Sequence, residues 1–330
     1  MPNPIVHLSS TPLAGAPARL SRTLQRHSKF DSLCFIERDY RKDMAGLFTD
    51  GALVLDGGAN KDGDELLEMA VKTASIIHIH NYIPPRLVEF VRDIETDAQF
   101  VYHLHSPRRE GPLYVPRAEE FDLPIARELV VAQMHPRFYP DATPVPNIVP
   151  AAKPSLRDPY DESLKDKVKI LYFPAQARGG RWNGKVSKQL TQALDTVSAH
   201  KDVEIVKIER PQPSFALERI RRTCDITIDE IVTGGFHQIS LEGLQAGNAV
   251  INGADEISMR VMMGWAGEKP PFIRSHPNTI HDDLWNLIND RELLAETKEI
   301  SADYAEKNMQ PKNLIKLYEN IYQQIINQAL

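Results

Sequence analysis

Short apolar segments alternate with helical patterns along both halves of the chain, and this alternation restricts the possible folds more than any other feature. Buried parallel strands read as short apolar runs, whereas an amphipathic helix repeats apolar residues every three or four positions. Strands that alternate with helices predict the parallel sheets of an α/β protein. The predicted strands of the first half are residues 5–8, 32–37, 52–56, 75–80 and 99–105, and those of the second half begin at residues 168, 203, 224 and 248.

A segment rich in proline and small residues separates the two alternating regions. It covers residues 142–163 and has no apolar period, which is typical of a linker. A length of 330 residues also favours two domains over one. Near the end of the chain, apolar residues at three- and four-residue spacing predict an amphipathic helix that needs a partner surface. We therefore predict one Rossmann-like domain over residues 1–148, a second over residues 149–308 and a C-terminal helix over residues 309–330.

Charge and hydropathy argue against several classes of protein. The net charge is −6 at pH 7 and no basic stripe is visible, so there is no strong nucleic-acid signal. No apolar run approaches the roughly 18 residues of a membrane-spanning helix, so we predict no transmembrane segment. The opening residues, MPNPIVHLSS, lack the pattern of a signal peptide. Two cysteines far apart read as reduced thiols, and together these features predict a cytoplasmic protein.

The segment TGGFHQISLEGLQAGNAVIN, residues 233–252, places glycines directly before a predicted helix that carries Glu242. The free N–H groups at a helix N-terminus bind anions, and adjacent glycines let the backbone approach a ligand closely. Glu242 would accept hydrogen bonds from vicinal hydroxyls near the same end of the helix. Taken alone, a Gly-rich turn before a core helix with a solvated glutamate explains the pattern slightly better.

The longer run CDITIDEIVTGGFHQISLEGLQAGNAVING resembles the nucleotide-sugar-binding segment of retaining GT-B glycosyltransferases of the family 4 type. SIIHIHNY and FVYHLHSP are similar to strands of that family's N-terminal domain, and PVPNIV is similar to its interdomain linker. FPAQARGGRWNGKVSKQL is similar to its phosphate-binding loop and following helix. The last two helical segments also match, so the similarity spans most of the chain in the family's order.

This resemblance implies a fold and a reaction. The implied GT-B fold has two Rossmann-like domains facing across a cleft, with the C-terminal helix packed back on the N-terminal domain. The implied reaction moves a sugar from a nucleoside diphosphate sugar, a UDP- or GDP-sugar, to a hydroxyl of a glycan or another acceptor. It proceeds with retention of anomeric configuration and needs neither a cofactor nor a metal ion.

The same resemblance assigns roles to individual residues. Glu242 would bind the ribose, whereas Gly234 stands where the family has its other signature glutamate, for which Asp229 or Glu230 are the nearby substitutes. Polar groups near the transferred sugar or acceptor would come from His105, with His80 and Asn81 beside it and Gly15 leaving room. Backbone amides of the turn would contact the donor, and basic side chains would stabilise the departing diphosphate. The backbone amides that would contact the donor are those of Gly235, Phe236, His237 and Gln238. The basic side chains that would stabilise the diphosphate are Arg181 and Lys185, with Arg178 competing for the arginine role.

Two other classes of function remain open. The HIH and HLH pairs, which contain His80 and His105, each lie on one face of a predicted strand, and paired histidines occur in metal sites. A metal-dependent hydrolase is therefore one alternative, although no carboxylates with a telling spacing accompany the pairs. The second alternative is a sugar-nucleotide-binding protein without catalysis, because Gly234 removes a signature acid.

Overall fold

The computed structural model describes residues 4–40, 46–108, 114–135, 137–151, 153, 167–174 and 185–329. This part of the chain forms two compact α/β units, each built on one parallel sheet. The first unit contains the described residues up to 148 together with residues 311–329. The second unit contains the described residues from 149 to 310. The predicted α/β class is confirmed.

The sheet of the first unit has seven parallel strands in the order β3-β2-β1-β4-β5-β6-β7. The strand order reverses between β1 and β4, and ligands of open α/β sheets bind at the carboxyl ends of strands beside such a reversal. The strands are β1 (Ile5–Ser9), β2 (Ser32–Ile36), β3 (Leu53–Val54), β4 (Ile76–His80), β5 (Gln99–Leu104), β6 (Ile125–Val131) and β7 (Thr143–Val145). The helices are α1 (Ala16–His27), α2 (Lys61–Thr73), α3 (Pro85–Arg92) and, from the end of the chain, α10 (Pro311–Ala329).

The sheet of the second unit has five parallel strands in the order β12-β11-β10-β8-β9. Its strand order reverses between β8 and β10. The strands are β8 (Val168–Tyr172), β9 (Val203–Lys207), β10 (Ile226–Ile228), β11 (Ala249–Asn252) and β12 (Ile273–Arg274). The helices are α4 (Lys188–Ser198), α5 (Ser214–Arg221), α6 (Gln238–Gln245), α7 (Glu256–Ala266), α8 (Ile280–Asn289) and α9 (Arg291–Asn308).

The linker prediction is wrong over part of its length. Thr143–Val145 form the edge strand β7, which pairs in parallel with β6. Pro144 has no N–H to donate, but an edge strand tolerates proline because one of its sides carries no ladder. The proline content therefore concealed a strand, while residues 154–166 of the predicted linker lie outside the described residues.

The two faces of the first sheet differ in chemistry. One face carries Val6, Leu8, Ile77, Ile79 and Tyr102, which belong to a large apolar core under α2 and α3. The opposite face carries histidines on three neighbouring strands, because the parallel register aligns His7 with His78 and His80 with His103. Strand periodicity produces this division, since alternate side chains point to opposite faces.

The C-terminal helix α10 covers the histidine-bearing face. It packs against α1 and β5, and its buried Tyr318 and Tyr322 contact the histidines directly. The Tyr318 hydroxyl also donates to the Pro146 carbonyl at 2.8 Å. The predicted return of this helix to the N-terminal unit is confirmed, and its amphipathic pattern is explained by this buried surface.

Candidate functional site

The site in the second unit lies where the loops after β8 and β10 leave the sheet, beside the reversal of strand order. Gly234, with φ of 77°, opens the turn that leads into α6. Only glycine adopts this left-handed conformation without a steric penalty. His237 then forms the N-cap of α6 in an extended conformation. The turn thus directs backbone N–H groups and one imidazole toward the carboxyl end of the sheet.

Asp229 holds this turn together from beneath. It follows β10 directly, and its carboxylate accepts four hydrogen bonds: His237 N at 2.7 Å, His237 Nδ1 at 3.2 Å, Ser240 Oγ at 2.8 Å and Glu230 N at 2.8 Å. Burial opposes ionisation of Asp229, but the neighbouring His237 and these hydrogen bonds hold its pKa at about 2. Asp229 is therefore a fixed negative charge under the helix start.

The pKa of His237 is shifted toward the charged form of the imidazole. Burial favours its neutral form, but the adjacent Asp229 carboxylate outweighs burial and raises the pKa of His237 above the ordinary value. The charge of Lys185 acts in the other direction and lowers that pKa. The imidazole side chain is 20% exposed.

Glu230 is engaged in its own turn. Its carboxylate accepts hydrogen bonds from Val232 N at 2.6 Å and Thr233 N at 2.8 Å, and also from the Thr233 hydroxyl. Asp229 likewise holds four donors. Both acids are thus committed to local hydrogen bonds, which argues against either of them replacing the missing signature glutamate at Gly234.

Glu242 lies inside α6 in a buried ion pair. Its Oε2 is 2.5 Å from Nη2 of Arg221 on α5, and its Oε1 accepts from the Gln238 amide at 2.6 Å. The Arg221 guanidinium in turn lies over the Phe173 ring, 5.4 Å from its centroid, at the end of β8. Glu242 therefore belongs to the same carboxyl-terminal edge of the sheet.

The predicted phosphate clamp is described only in part. Lys185 lies just before α4, whose N-terminus is capped by the Ser187 hydroxyl accepting from Leu190 N at 3.1 Å. Arg178 and Arg181 lie outside the described residues. Arg221, Lys185, the His237 imidazole and the N-terminus of α6 are among the basic or positively polarised groups of the described part of this site.

In the first unit, a chain of hydrogen-bonded imidazoles runs across the sheet. His7 Nδ1 lies 2.9 Å from His80 Nε2, and His80 Nδ1 lies 2.9 Å from Nε2 of His105. His78 stacks on His80 with ring centroids 4.3 Å apart and hydrogen bonds through Nδ1 to the Tyr322 hydroxyl at 2.6 Å. His105 is half-buried, whereas the other three are fully buried. The predicted cleft residues His80 and His105 are therefore in direct contact.

Burial keeps this layer of histidines neutral. It lowers the pKa of His7 and of His105 to about 3. Burial, followed by the neighbouring histidines, lowers the pKa values of His78, His80 and His103 well below the ordinary range. In the described part of the chain, His7 Nε2, His78 Nε2 and both nitrogens of His103 are buried without a hydrogen-bond partner.

Asn81 and Gly15 have structural roles that the sequence did not indicate. Asn81, with φ of 52°, accepts from His105 N through Oδ1 at 2.6 Å and donates to the Ser106 hydroxyl at 3.1 Å. It thus fixes the turn that carries His105. Gly15 has φ of 81°, and a Cβ there would lie 1.8 Å from Oδ2 of Asp50. The close approach of Asp50 therefore requires glycine whether or not a ligand is nearby.

Two groups of three histidines have the ligand type of a metal site: His7, His78 and His80, and His80, His103 and His105. Neutral imidazole suits zinc, copper and nickel. However, the 2.9 Å between paired nitrogens is a hydrogen-bond distance, whereas two nitrogens on one tetrahedral zinc lie about 3.3 Å apart. Neither group contains a carboxylate to offset the charge of an ion in this buried layer. The geometry fits hydrogen-bonded imidazoles better than a metal centre.

Comparisons with known proteins give the fold but no family. No family model matches the chain, and no curated protein matches it. An α-glucosyltransferase in complex with UDP-glucose and DNA containing an abasic site matches with a TM-score of 0.64 and 9% identity, over 97% of this chain and 98% of that chain. Sucrose-phosphate synthase from Thermosynechococcus elongatus matches with a TM-score of 0.60 and 11% identity, over 99% of this chain and 100% of that chain.

A putative UDP-N-acetylglucosamine 2-epimerase from Listeria monocytogenes also matches, with a TM-score of 0.56 and 11% identity, over 97% of this chain and 95% of that chain. At such identities the likeness shows the fold alone. The chain has the GT-B fold of glycosyltransferases, as the resemblance of its motifs implied. In the described ranges, no helix has the length and apolar character required to span a membrane.

Proposed function

We propose that the protein is a glycosyltransferase that moves a sugar from a nucleoside diphosphate sugar to an acceptor hydroxyl. The observation that carries the proposal is the group of polar residues at the strand-order reversal of the second sheet. His237 is the N-cap of α6, Glu242 lies farther along the same helix, and the charge of Lys185 acts on His237. A cationic edge suits a diphosphate, and a carboxylate beside it suits a ribose.

In the proposed reaction, Glu242 accepts hydrogen bonds from the ribose and Lys185 binds the diphosphate. Cationic side chains then stabilise the negative charge that develops on the diphosphate as it leaves. The reaction proceeds with retention and without a metal ion, in keeping with the resemblance to family 4 enzymes. The expected donor is a UDP- or GDP-sugar and the expected location is the cytoplasm, which suits the two buried, unpaired cysteines Cys34 and Cys224.

In this proposal the acceptor binds to the first unit. His80, Asn81 and His105 lie at the carboxyl ends of β4 and β5, where an open α/β sheet binds ligands. These groups would make polar contacts to a hydroxyl acceptor such as a glycan. One neighbour was solved with DNA, but the net charge of −6 makes nucleic acid an unfavourable acceptor for this chain.

The first test is the thermal stability of the purified protein with UDP, GDP, ADP, CMP and dTDP, each with and without EDTA. We expect one nucleoside diphosphate to raise the melting temperature, and EDTA to leave that effect unchanged. Lys185→Ala and Glu242→Gln should each weaken the effect. Glu242→Gln keeps the size of the side chain, so melting without ligand controls for loss of the Arg221 ion pair.

Turnover separates the remaining classes of function. Incubation of the matching nucleotide sugar with and without acceptor hydroxyl compounds distinguishes transfer from epimerisation, because an epimerase needs no acceptor. Nucleotide binding without turnover of the sugar would instead support a binding protein. Absence of any nucleotide response, together with a melting temperature lowered by EDTA, would sink the glycosyltransferase proposal and favour a metal-dependent hydrolase built on the histidine groups.

A further inference from the structure

The His237 side chain is held in a fixed orientation by a buried charge. Asp229 binds both the backbone N–H of His237 at 2.7 Å and its Nδ1 at 3.2 Å, and Asp229 itself is 6% exposed. Since the carboxylate occupies Nδ1, the remaining nitrogen, Nε2, is the one that a ligand can meet. An imidazolium held in this way keeps both its charge and its direction.

This imidazole is not needed to form the turn. The backbone N–H of His237 already binds Asp229 Oδ2, and Ser240 Oγ binds the same oxygen at 2.8 Å. Asn252 Nδ2 donates to Ser240 Oγ at 2.9 Å and completes the support from β11. An alanine or glycine at position 237 would preserve all three of these hydrogen bonds. The imidazole therefore adds a cation to a turn that holds without it.

A second basic side chain acts on this turn. The charge of Lys185 lowers the pKa of His237, whereas the charges of Asp229 and Glu230 raise it. Both acids are fully engaged with local donors, as described above. Basic side chains that act on one helix N-terminus suit an anion of more than one charge, and His237 is the N-cap of the eight-residue helix α6.

We propose that His237 is a catalytic residue that donates a hydrogen bond from Nε2 to the diphosphate of the sugar nucleotide, and that Asp229 is its positioning residue. This inference rests on the glycosyltransferase function proposed above. His237 occupies the position of the second glycine in the family's Gly-Phe-Gly turn, so the resemblance does not supply this contact. It adds a positive group beside Gly234, where the family has a negative one.

The step is electrostatic and leaves His237 protonated throughout. The bond between the anomeric carbon and the β-phosphate oxygen breaks, and its electron pair stays on that oxygen. The acceptor oxygen forms the new bond to the anomeric carbon, and its proton passes to the departing diphosphate. The negative charge on the diphosphate grows during the step, so a cation fixed beforehand by Asp229 stabilises the transition state more than the ground state.

Isothermal titration of the wild-type protein, His237→Ala and His237→Gln with UDP, GDP and their nucleosides tests the proposal. We expect His237→Ala to weaken binding of the preferred diphosphate about ten- to hundredfold and to leave binding of its nucleoside unchanged. His237→Gln keeps a hydrogen-bond donor without the charge, so its affinity for the diphosphate should lie between those of the wild type and His237→Ala. In turnover, kcat should fall more than KM rises for His237→Ala.

The controls separate this inference from the one on which it rests. Melting of each variant without ligand reports whether the turn is intact, and Asp229→Asn should weaken diphosphate binding while leaving nucleoside binding intact. If His237→Ala binds the diphosphate as tightly as the wild type does, the role of His237 is wrong and the proposed function stands. If the wild-type protein binds no nucleoside diphosphate, both are overturned.

Discussion

At the scale of single residues, the most unusual feature is a layer of five neutral histidines under a tyrosine-bearing helix. Unfolding exposes these imidazoles to water, where their pKa values return to about 6.5. Their folded pKa values are lower, so the unfolded state binds more protons at every pH between the two values. The free energy of unfolding therefore has its full value above about pH 6.5 and decreases as the pH falls below it.

We expect steep acid destabilisation of the first unit. At pH 5.5, protonation of each imidazole in the unfolded state costs the folded state about 1.4 kcal/mol, so the four fully buried histidines together remove roughly 6 kcal/mol. This is comparable to the whole stability of a typical domain. Denaturant titrations from pH 8 to pH 5 measure how the free energy of unfolding changes with pH. A change no steeper than that expected for one histidine would contradict the assignment of several neutral, buried histidines to the folded state.

His103 provides a matched variant for this titration. Both of its nitrogens are buried without a partner in the described part of the chain, so His103→Phe replaces unpaired polar atoms by an aromatic ring of similar shape. We expect little loss of stability at pH 8 and a shallower loss toward pH 5. His80→Phe, which breaks hydrogen bonds to His7 and His105, should be destabilising at both pH values.

At the scale of elements, two helical glycines with different surroundings should respond oppositely to the same substitution. A Cβ at Gly243 in α6 would lie 2.9 Å from Cγ2 of Val250 and 3.0 Å from Cβ of Thr227, both in buried strands. A Cβ at Gly264 in α7 would meet no atom within 4 Å. The close packing of α6 on the sheet thus depends on Gly243.

We expect Gly243→Ala to destabilise the second unit by about 1–3 kcal/mol through overpacking. Gly264→Ala should stabilise it by roughly 0.5–1 kcal/mol, because alanine loses less backbone entropy than glycine in a helix. Urea denaturation of both variants gives the two differences in unfolding free energy. Equal effects would show that the packing of α6 on β10 and β11 is looser than the structure indicates.

At the scale of the whole molecule, the two units have separate hydrophobic cores. The histidine layer belongs to the first unit and the cationic turn at His237 belongs to the second. Acid and nucleotide should therefore act on different parts of the chain. A ligand at one hundred times its Kd adds about 2.7 kcal/mol to the unit that binds it.

Hydrogen exchange read by mass spectrometry tests this separation. We expect the stabilising nucleoside diphosphate to slow exchange in β10 and α6, with much smaller changes in β2 and α1. A shift from pH 8 to pH 5.5, after correction for intrinsic exchange rates, should accelerate opening of β4 and β5 more than that of β10 and β11. Uniform changes across both units would show that they unfold as one cooperative body.

The prediction of the fold from sequence succeeded where the signal was local. Apolar runs such as residues 249–251 revealed strands because a buried parallel strand is largely apolar on both faces. Strand β7 was missed because its one proline, Pro144, and the proline-rich segment that follows match a linker as well as an edge strand. Glu242 was predicted to bind the ribose from its helix and its resemblance, and that role stays a prediction, whereas Arg221, its ion-pair partner 21 positions earlier, carried no visible motif.

The sequence by itself determined the alternation of strands and helices, hence two parallel sheets, and the amphipathic face of the last helix. These properties follow from the periodicity of neighbouring residues. Only the tertiary structure decided that His7, His80 and His105 form one chain, that Tyr322 meets His78, and that Asp229 supports His237. Such pairings depend on which strands become neighbours and on how deeply they are buried, and burial in turn sets the charge of each histidine.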